Sequence, residues 1–317
     1  MALPTETVYG LAADATRREA VRRCFDVKGR PADHPVIVHI RAGDLERWSR
    51  GSSESAAALT GAFWPGPLTV VVAKPAWVSP LLTGGQDTVA LRCVDHPAFT
   101  AVLAELVAAS TGPVGLAAPS ANRFGRVSPT RAQHVLDGLG DQLDADDVIL
   151  DGGSSSIGVE STIVDCTGPA VAILRPGAIG VADIAAVLAA AGGRAAGCSV
   201  KASGGSAARV PGALPSHYAP ATAIRIVTPA QLAARWADGV GLIAPAPIPT
   251  PAGVRRIASP RGNREYARGL YAWLRTADEL GCSELLLVLA TETGEDPMAD
   301  ALAVAIRDRA MRATAVD

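Results

Sequence analysis

Two α/β domains joined by a linker are what the sequence predicts, and three observations carry that expectation. Residues 1–199 alternate short β-type apolar runs with helical patterns, and several strands follow one another without a helix between them. That order implies a mixed, partly antiparallel twisted sheet. Residues 200–222 lose all periodicity and are rich in Gly, Ser and Pro, the composition of a linker. Residues 223–317 resume a β-α-β order that reads as a smaller, mostly parallel, doubly wound Rossmann-like domain. A chain of 317 residues is long for one hydrophobic core and comfortable for two.

In the first domain, strands are expected at 36–40, 68–73, 88–92, 114–117, 148–150, 161–165 and 171–174. Helices are expected at 17–25, 56–63, 98–109, 131–139 and 181–191. Pro211, Pro215 and Pro220 stiffen the second half of the linker. Beyond it come a strand at 223–227, a helix at 231–237 and a strand at 240–244. An amphipathic helix at 264–280, a strand at 284–289 and a last helix at 298–312 complete the order. No Gly-x-Gly-x-x-Gly follows the first of these strands, so a dinucleotide site is not expected there.

Hydrophobic residues make up 49% of the chain and charged ones 19%, as in a soluble globular protein. A net charge of −2 provides no positive field for nucleic acid, and 4% aromatics is little for a base-stacking surface. Cys24, Cys93, Cys166, Cys198 and Cys282 are scattered without a CxxC pair, which reads as buried reduced thiols in a cytosolic protein. The apolar run 285–290 is far too short to span a bilayer, and the opening residues do not compose a signal peptide. A cytoplasmic location with no membrane partner follows as the expectation.

Candidate ligand-binding residues lie where loops meet apolar runs. Pro119-Ser120-Ala121-Asn122, Ser128-Pro129-Thr130, Gly158-Val159-Glu160-Ser161-Thr162 and Arg175-Pro176-Gly177 alternate hydroxyls, prolines and one arginine, a composition able to hold a small polar anion. Lys28-Gly29-Arg30 puts two cations on a tight turn, suited to a polyphosphate or equally to solvent. No GxxxxGK[ST] occurs, so phosphate donors would be scattered groups such as Ser120, Ser128, Ser161 and Arg175. Residues 151–156 could form an anion-binding nest, although a plain turn is the simpler reading. His39 ends a strand, where a lone histidine is usually a satisfied core or edge residue. His34, His96, His134 and His217 lack metal-ligand spacing, so no protein-bound metal is assigned, and no Gly-x-Ser-x-Gly elbow is present. The segment Pro4 to Leu11 reads as a polar loop with Tyr9 packed inward.

Taken in order, seven segments resemble the L-threonylcarbamoyladenylate synthase family, the Sua5/YrdC/YwlC group. They are Pro4-Thr5-Glu6-Thr7-Val8-Tyr9-Gly10-Leu11, Lys28-Gly29-Arg30-Pro31, Phe63-Trp64-Pro65-Gly66-Pro67-Leu68-Thr69, Ala90-Leu91-Arg92-Cys93-Val94-Asp95-His96-Pro97, Ala118-Pro119-Ser120-Ala121-Asn122, Gly158-Val159-Glu160-Ser161-Thr162 and Leu174-Arg175-Pro176-Gly177. His217-Tyr218-Ala219-Pro220 and the second domain resemble the longer, Sua5-type branch, so the resemblance implies a YrdC-like catalytic domain, a linker closing over the site and a Sua5 C-terminal domain.

The reaction it implies joins L-threonine, bicarbonate and ATP into L-threonylcarbamoyladenylate and diphosphate. Mg²⁺ would arrive with ATP. The product would feed downstream threonylcarbamoyl-transferase machinery that modifies a tRNA adenosine, leaving tRNA an indirect partner. The resemblance places L-threonine among Thr5, His39, Arg92, Ala118 and Ser161, with Arg92 on its carboxylate. It places ATP among Lys28, Arg30, His34, Thr88, Ser120, Asn122, Ser128, Arg175 and Tyr218. No residue is implied as acid or base; Lys28, Arg30 and Arg175 act by positioning.

Three features depart from the pattern. His34 stands where asparagine is common, and Ala12 where glycine is usual. Relatives also carry a helix and a strand before Pro-Thr-Glu-Thr, so either the start is wrongly assigned or truncated, or the sheet lacks its usual first strand, a loss that would weaken the support of Thr5 and expose a sheet edge. The competing readings are a double-stranded RNA or tRNA-binding module of the same fold, and a carbamoyl-transfer domain related to hydrogenase maturation. Near-neutral charge weighs against the first. The second would sit beside acylphosphatase and zinc-finger regions that this sequence does not show.

Overall fold

A computed structural model describes residues 1–197, 199–202, 208–212, 218–234 and 236–314. Cys198, Pro215 and His217 lie outside the described residues. The chain opens with β1 (Ala2–Leu3), β2 (Gly10–Leu11), β3 (Ala13–Asp14), α1 (Arg18–Lys28), β4 (Ile37–His39), α2 (Leu45–Trp48), α3 (Glu54–Phe63) and β5 (Leu68–Ala73). It continues through α4 (Pro80–Thr83), β6 (Thr88–Arg92), α5 (Pro97–Ala108), β7 (Leu116–Ala117), α6 (Ala132–Leu139), β8 (Thr162–Asp165), β9 (Val171–Arg175), α7 (Val181–Ala191) and α8 (Gly193–Ala196). Local chemistry sets several ends. Ser53 caps α3 by accepting from the Ala56 amide, and Pro97 opens α5 beneath a His96 cap. Gly29, at φ 63°, closes α1 in the left-handed region.

Eight strands form one mixed sheet in the order β10-β9-β8-β5-β6-β4-β7-β3, where β10 is Val200–Ala202. The linker's first residues therefore belong to this sheet, parallel to β9. Side chains alternate between its faces along β4, β5, β6 and β8. Val38, Val70, Leu91 and Val164 enter the main core beneath α3 and α7. Ile37, Val71, Ala90 and Ile163 face the other way, toward Val210 of the linker. The expected strand at 148–150 reduces to a single bridge between Ile149 and Ala2.

The expectation of weak support near Thr5 is not met. β1 pairs with β2, the Ala2 amide donates to the Val148 carbonyl at 2.7 Å, and Thr5 is only 3% exposed. The strand at the sheet's end is instead β3, which is half-buried.

The C-terminal unit contains β11 (Ile224–Ile226), β12 (Val240–Ile243), β13 (Arg255–Ala258), α9 (Asn263–Glu279), β14 (Glu284–Leu287) and α10 (Pro297–Thr314). Its four strands are all parallel, in the order β11-β14-β12-β13. Where a helix is expected at 231–237, the described residues form a 3-10 turn at Gln231–Ala233, and Arg235 lies outside the described residues. One face of this sheet packs against α9 and α10. The other is covered by that turn and a proline-rich loop, through Trp236 and Ile248.

The two units share an apolar core. Val8, Val127, Val159, Ala178 and Tyr218 pack into the same cluster as Tyr266, Leu270, Tyr271, Leu302 and Ile306. At Gly158 the backbone lies against α9 so tightly that a methyl would sit 2.4 Å from the Arg268 Cα.

Candidate active site

Strand register assembles the site. His39 of β4 is the direct neighbour of Arg92 on β6, Arg92 of Thr69 on β5, Thr69 of Ile163 on β8, and Ile163 of Arg175 on β9. Residues directly opposite one another share a face, so this row carries one imidazole and two guanidinium groups across the side opposite the main core. Arg175 reaches that side through an irregularity. Pairing of β8 with β9 shifts between Ile163 and Val164, so Ile173 enters the main core while Arg175, two residues on, points away from it.

Above the row lies a cavity of about 60 Å³. Of the residues named from sequence, Thr5, Arg30, His39, Arg92, Ala118, Ser120, Arg175 and Tyr218 line it. Lys28, His34, Thr88, Asn122, Ser128 and Ser161 do not line it, and most of them hold the wall from behind. The Ser161 hydroxyl bonds Thr69 Oγ1 at 2.7 Å and accepts from Arg175 Nη2 at 3.1 Å. Lys28 donates to the carbonyls of Ser120 and Asn122. Asn122 Nδ2 donates to the Arg123 and Arg126 carbonyls, tying off the same loop. His34 packs edge-on against Phe124, and Thr88 lies half-buried at the far end of β6. The nest considered at 151–156 is a turn closed on itself: the Gly153 amide donates to Asp151, and Tyr9, fully buried, donates to the Gly153 carbonyl.

At one end of the cavity, Thr5 Oγ1 donates to the Val8 carbonyl at 2.6 Å and accepts from the amides of Thr7 and Val8. His39 Nδ1 lies 3.3 Å from the Leu116 carbonyl. A carbonyl can only accept, so Nδ1 carries the proton and Nε2 keeps its lone pair. Burial, reinforced by Arg92, drives the His39 pKa down to about 3, so the ring is neutral at physiological pH. Arg92 comes already engaged. Nε donates to the Gly66 carbonyl, Nη1 to Thr7, and Nη2 lies 2.7 Å from the buried Glu6 carboxylate. Any substrate carboxylate at Arg92 would share it with Glu6.

At the other end, Arg30 Nη2 donates to the Pro35 carbonyl. Arg175 donates to the Ser161 carbonyl and hydroxyl and to the Pro211 carbonyl. These partners are neutral, so both cations retain their attraction for an anion. Burial lowers the Lys28 ammonium to about 7, with Arg30 adding to the effect.

The linker covers this end. Val210 packs on the sheet, Pro211 and Gly212 line the cavity, and Tyr218 inserts with its ring 5.7 Å from that of Tyr271.

Sequence reasoning left Glu160 without a role. It lines the cavity, is buried, and accepts from Ser128 at 2.7 Å, from Tyr271 at 2.9 Å and from Arg309 at 2.9 Å. Burial disfavours its charge, yet Arg309, Arg175 and the Ser128 hydroxyl outweigh that and hold its pKa at about 2. The signal was present on α10, where Arg309 falls in phase with Leu302, Ala305, Ile306 and Ala313 on the buried face.

Two family models match the chain. The Sua5–YciO–YrdC model, described as telomere recombination, covers residues 1–177, and the threonylcarbamoyl-AMP synthase C-terminal domain covers residues 179–315. The second match starts well before the linker expected at 200–222. A threonylcarbamoyl-AMP synthase of Pyrococcus abyssi is 41% identical over 228 residues, spanning 72% of this chain and 64% of the relative. One of Bacillus subtilis is 43% identical over 190 residues, spanning 59% of this chain and 52% of the relative. Each match thus spans less than two thirds of the curated relative's length. The crystal structure of P. abyssi Sua5 complexed with L-threonine superposes with a TM-score of 0.82 at 33% identity, covering 99% of this chain and 89% of that one. With one model matching more than half its length and a second matching most of the rest, the chain belongs to the Sua5–YciO–YrdC family.

Proposed function

We propose that the protein is an L-threonylcarbamoyladenylate synthase that condenses L-threonine, bicarbonate and Mg²⁺-ATP with release of diphosphate. The observation that carries this reading is the row His39–Arg92–Thr69–Ile163–Arg175. It sets a polar end at His39 and Arg92 and a cationic end at Arg175 on one cavity. The threonine-bound relative of the same fold supports assigning the first end to L-threonine.

In the proposed reaction the threonine amine adds to the bicarbonate carbon with loss of water to give a carbamate, one carbamate oxygen attacks the α-phosphorus of ATP, and diphosphate leaves. Arg92 would hold the amino-acid carboxylate, and neutral His39 would accept an N–H or O–H of threonine at Nε2. Arg175, Arg30 and Ser120 would meet the phosphates and stabilise charge at phosphorus. Lys28, Asn122 and Ser161 would act indirectly by fixing the loop of Ser120 and the guanidinium of Arg175. Neither end supplies a strong nucleophile, and positioning with charge stabilisation suits this chemistry.

A cavity of about 60 Å³ is well below the roughly 300–1,000 Å³ of an ordinary ligand pocket and too little for a nucleotide. Pro211, Gly212 and Tyr218 would therefore withdraw before ATP binds and return to exclude water. The proposed partners are the small substrates and, downstream, a transferase that consumes the adenylate on the way to tRNA. Among the described residues no helix is long and apolar enough to cross a membrane.

The test is to incubate the protein with ATP, bicarbonate and L-threonine and look for threonylcarbamoyl-AMP by mass spectrometry. Formation with the full set and with no pair of substrates is expected. A salt-dependent tRNA complex without any adenylate would instead favour an RNA-binding role.

A further inference from the structure

Glu160 presents an electrostatic problem at the cationic end of the cavity. It is a buried carboxylate that lines the same cavity as Arg175, and an arginine meant for phosphate is weakened by a carboxylate that can pair with it. The C-terminal unit supplies what prevents this. Arg309 of α10 has a fully buried side chain whose Nε donates to Glu160 Oε2 at 2.9 Å. Its Nη2 donates to the Pro176 carbonyl at 2.9 Å, and its guanidinium lies 5.4 Å from the centre of the Tyr218 ring. Tyr271 of α9 donates to the same carboxylate at 2.9 Å. One guanidinium thus touches the Glu160 loop, the residue after Arg175 and the closing tyrosine.

We infer that the C-terminal unit is a charge clamp: Arg309 and Tyr271 hold the Glu160 carboxylate so that Arg175 stays available for a phosphate of the nucleotide. Arg309 and Tyr271 are positioning residues in this scheme. The inference rests on the synthase reading only in taking ATP as the ligand of Arg175. The groups facing Glu160 are Ser128 from the loop before α6, Arg175 at the end of β9, Tyr218 of the linker, Tyr271 of α9 and Arg309 of α10, with Asp308 as a second partner of Arg309. Once Arg309 is removed, Arg175 is the cation remaining among them.

The experiment measures Mg²⁺-ATP affinity by calorimetry on the full chain, for wild type, Arg309→Met, Glu160→Gln and the double variant. Arg309→Met should weaken ATP by about tenfold or more, and the double variant should return to within about threefold of Glu160→Gln alone, because the harm comes from the unpaired carboxylate. The deficit of Arg309→Met should also shrink as pH falls and the buried carboxyl takes up a proton, a trend absent from wild type. A merely structural loss would show neither the rescue nor the pH trend. If Arg309→Met does not fold, Tyr271→Phe, which keeps the ring, should show a smaller loss that also vanishes in the Glu160→Gln background.

A double variant as weak as Arg309→Met, or Arg309→Met binding like wild type, overturns the clamp. ATP binding with the expected rescue but no threonylcarbamoyl-AMP would sink the synthase reading and leave the clamp standing. Absence of ATP binding by wild type overturns both.

Discussion

Replacing Gly158 by alanine tests how firmly the C-terminal unit bears on the site. Gly158 has φ +86°, and an added methyl would lie 2.4 Å from the Arg268 Cα and 2.6 Å from the Ala267 carbonyl oxygen. Carbon atoms in ordinary contact sit about 3.5–4.0 Å apart, so α9 must retreat by about 1 Å. Holding alanine in the left-handed region costs about 1–2 kcal/mol, and overpacking adds about 1–3 kcal/mol. Gly153→Ala is the control, because Gly153 has φ +79° with nothing within 4 Å of the added methyl. It carries the conformational cost alone. Urea unfolding of both variants isolates the steric part, an expected gap of about 1–3 kcal/mol between them. Retreat of α9 also carries Tyr271 away from Glu160, whose bonds now stand at 2.9 and 3.1 Å, so Gly158→Ala alone should also raise the KM for ATP. Equal destabilisation by the two substitutions, with unchanged KM, would refute the packing argument.

Further expectations follow from the site. Arg175→Ala should lower kcat/KM about 100-fold or more, since it removes a buried donor to developing phosphate charge. Lys74→Ala, whose ammonium among the described residues meets the Val78 carbonyl, should stay within about threefold; similar losses in steady-state assays would undo the assignment. Lys28 titrates near 7 in the folded protein and near about 10.4 when unfolded. The unfolded chain therefore holds a proton that the folded one has lost between those values, and stability should rise with pH across that window. Melts from neutral to alkaline pH should show that slope reduced in Lys28→Met, and an identical slope in the variant would contradict it. In Gly212→Ala the new methyl would lie 2.2 Å from Tyr218 Oη, so Tyr218 should leave the cavity. Amide exchange at 218–222 should then accelerate about tenfold, and unchanged exchange would show that the linker closes in another way.

Where local pattern decides structure, the sequence was readable. β5, β6 and α7 begin and end where the sequence places them, at Leu68–Ala73, Thr88–Arg92 and Val181–Ala191, because compact β-branched runs and a helix bounded by glycines leave few alternatives. β13 escaped because Arg255 and Arg256 interrupt the apolar signature, which an edge strand tolerates. His39, Arg92 and Arg175 could be named one at a time, but their common row depends on pairings across β4, β6, β5, β8 and β9 and on one shifted register. No local window contains that information. The same limit hides the bonds that Ser128 and Ser161, read as ligand donors, make to Glu160 and Arg175. A hydroxyl beside a buried charge and one beside a substrate look alike in a sequence.

Glu160 and Arg309 are 149 residues apart, and each alone resembles an error of burial, a lone charge inside an apolar pattern. A buried charge persists where another compensates it, so an unexplained carboxylate in one unit and an unexplained guanidinium in the other point to each other. Carboxylates likewise sit close to two of the cavity's arginines, Glu6 on Arg92 and Glu160 near Arg175. Glu6 stays within the N-terminal unit, whereas Glu160 is balanced across the boundary. The end around Thr5, His39 and Arg92, proposed for the amino acid, is thus electrostatically complete without the C-terminal unit, and the end around Arg175, proposed for phosphate, is not. Loss of contact between the units should consequently weaken nucleotide binding before it weakens threonine binding.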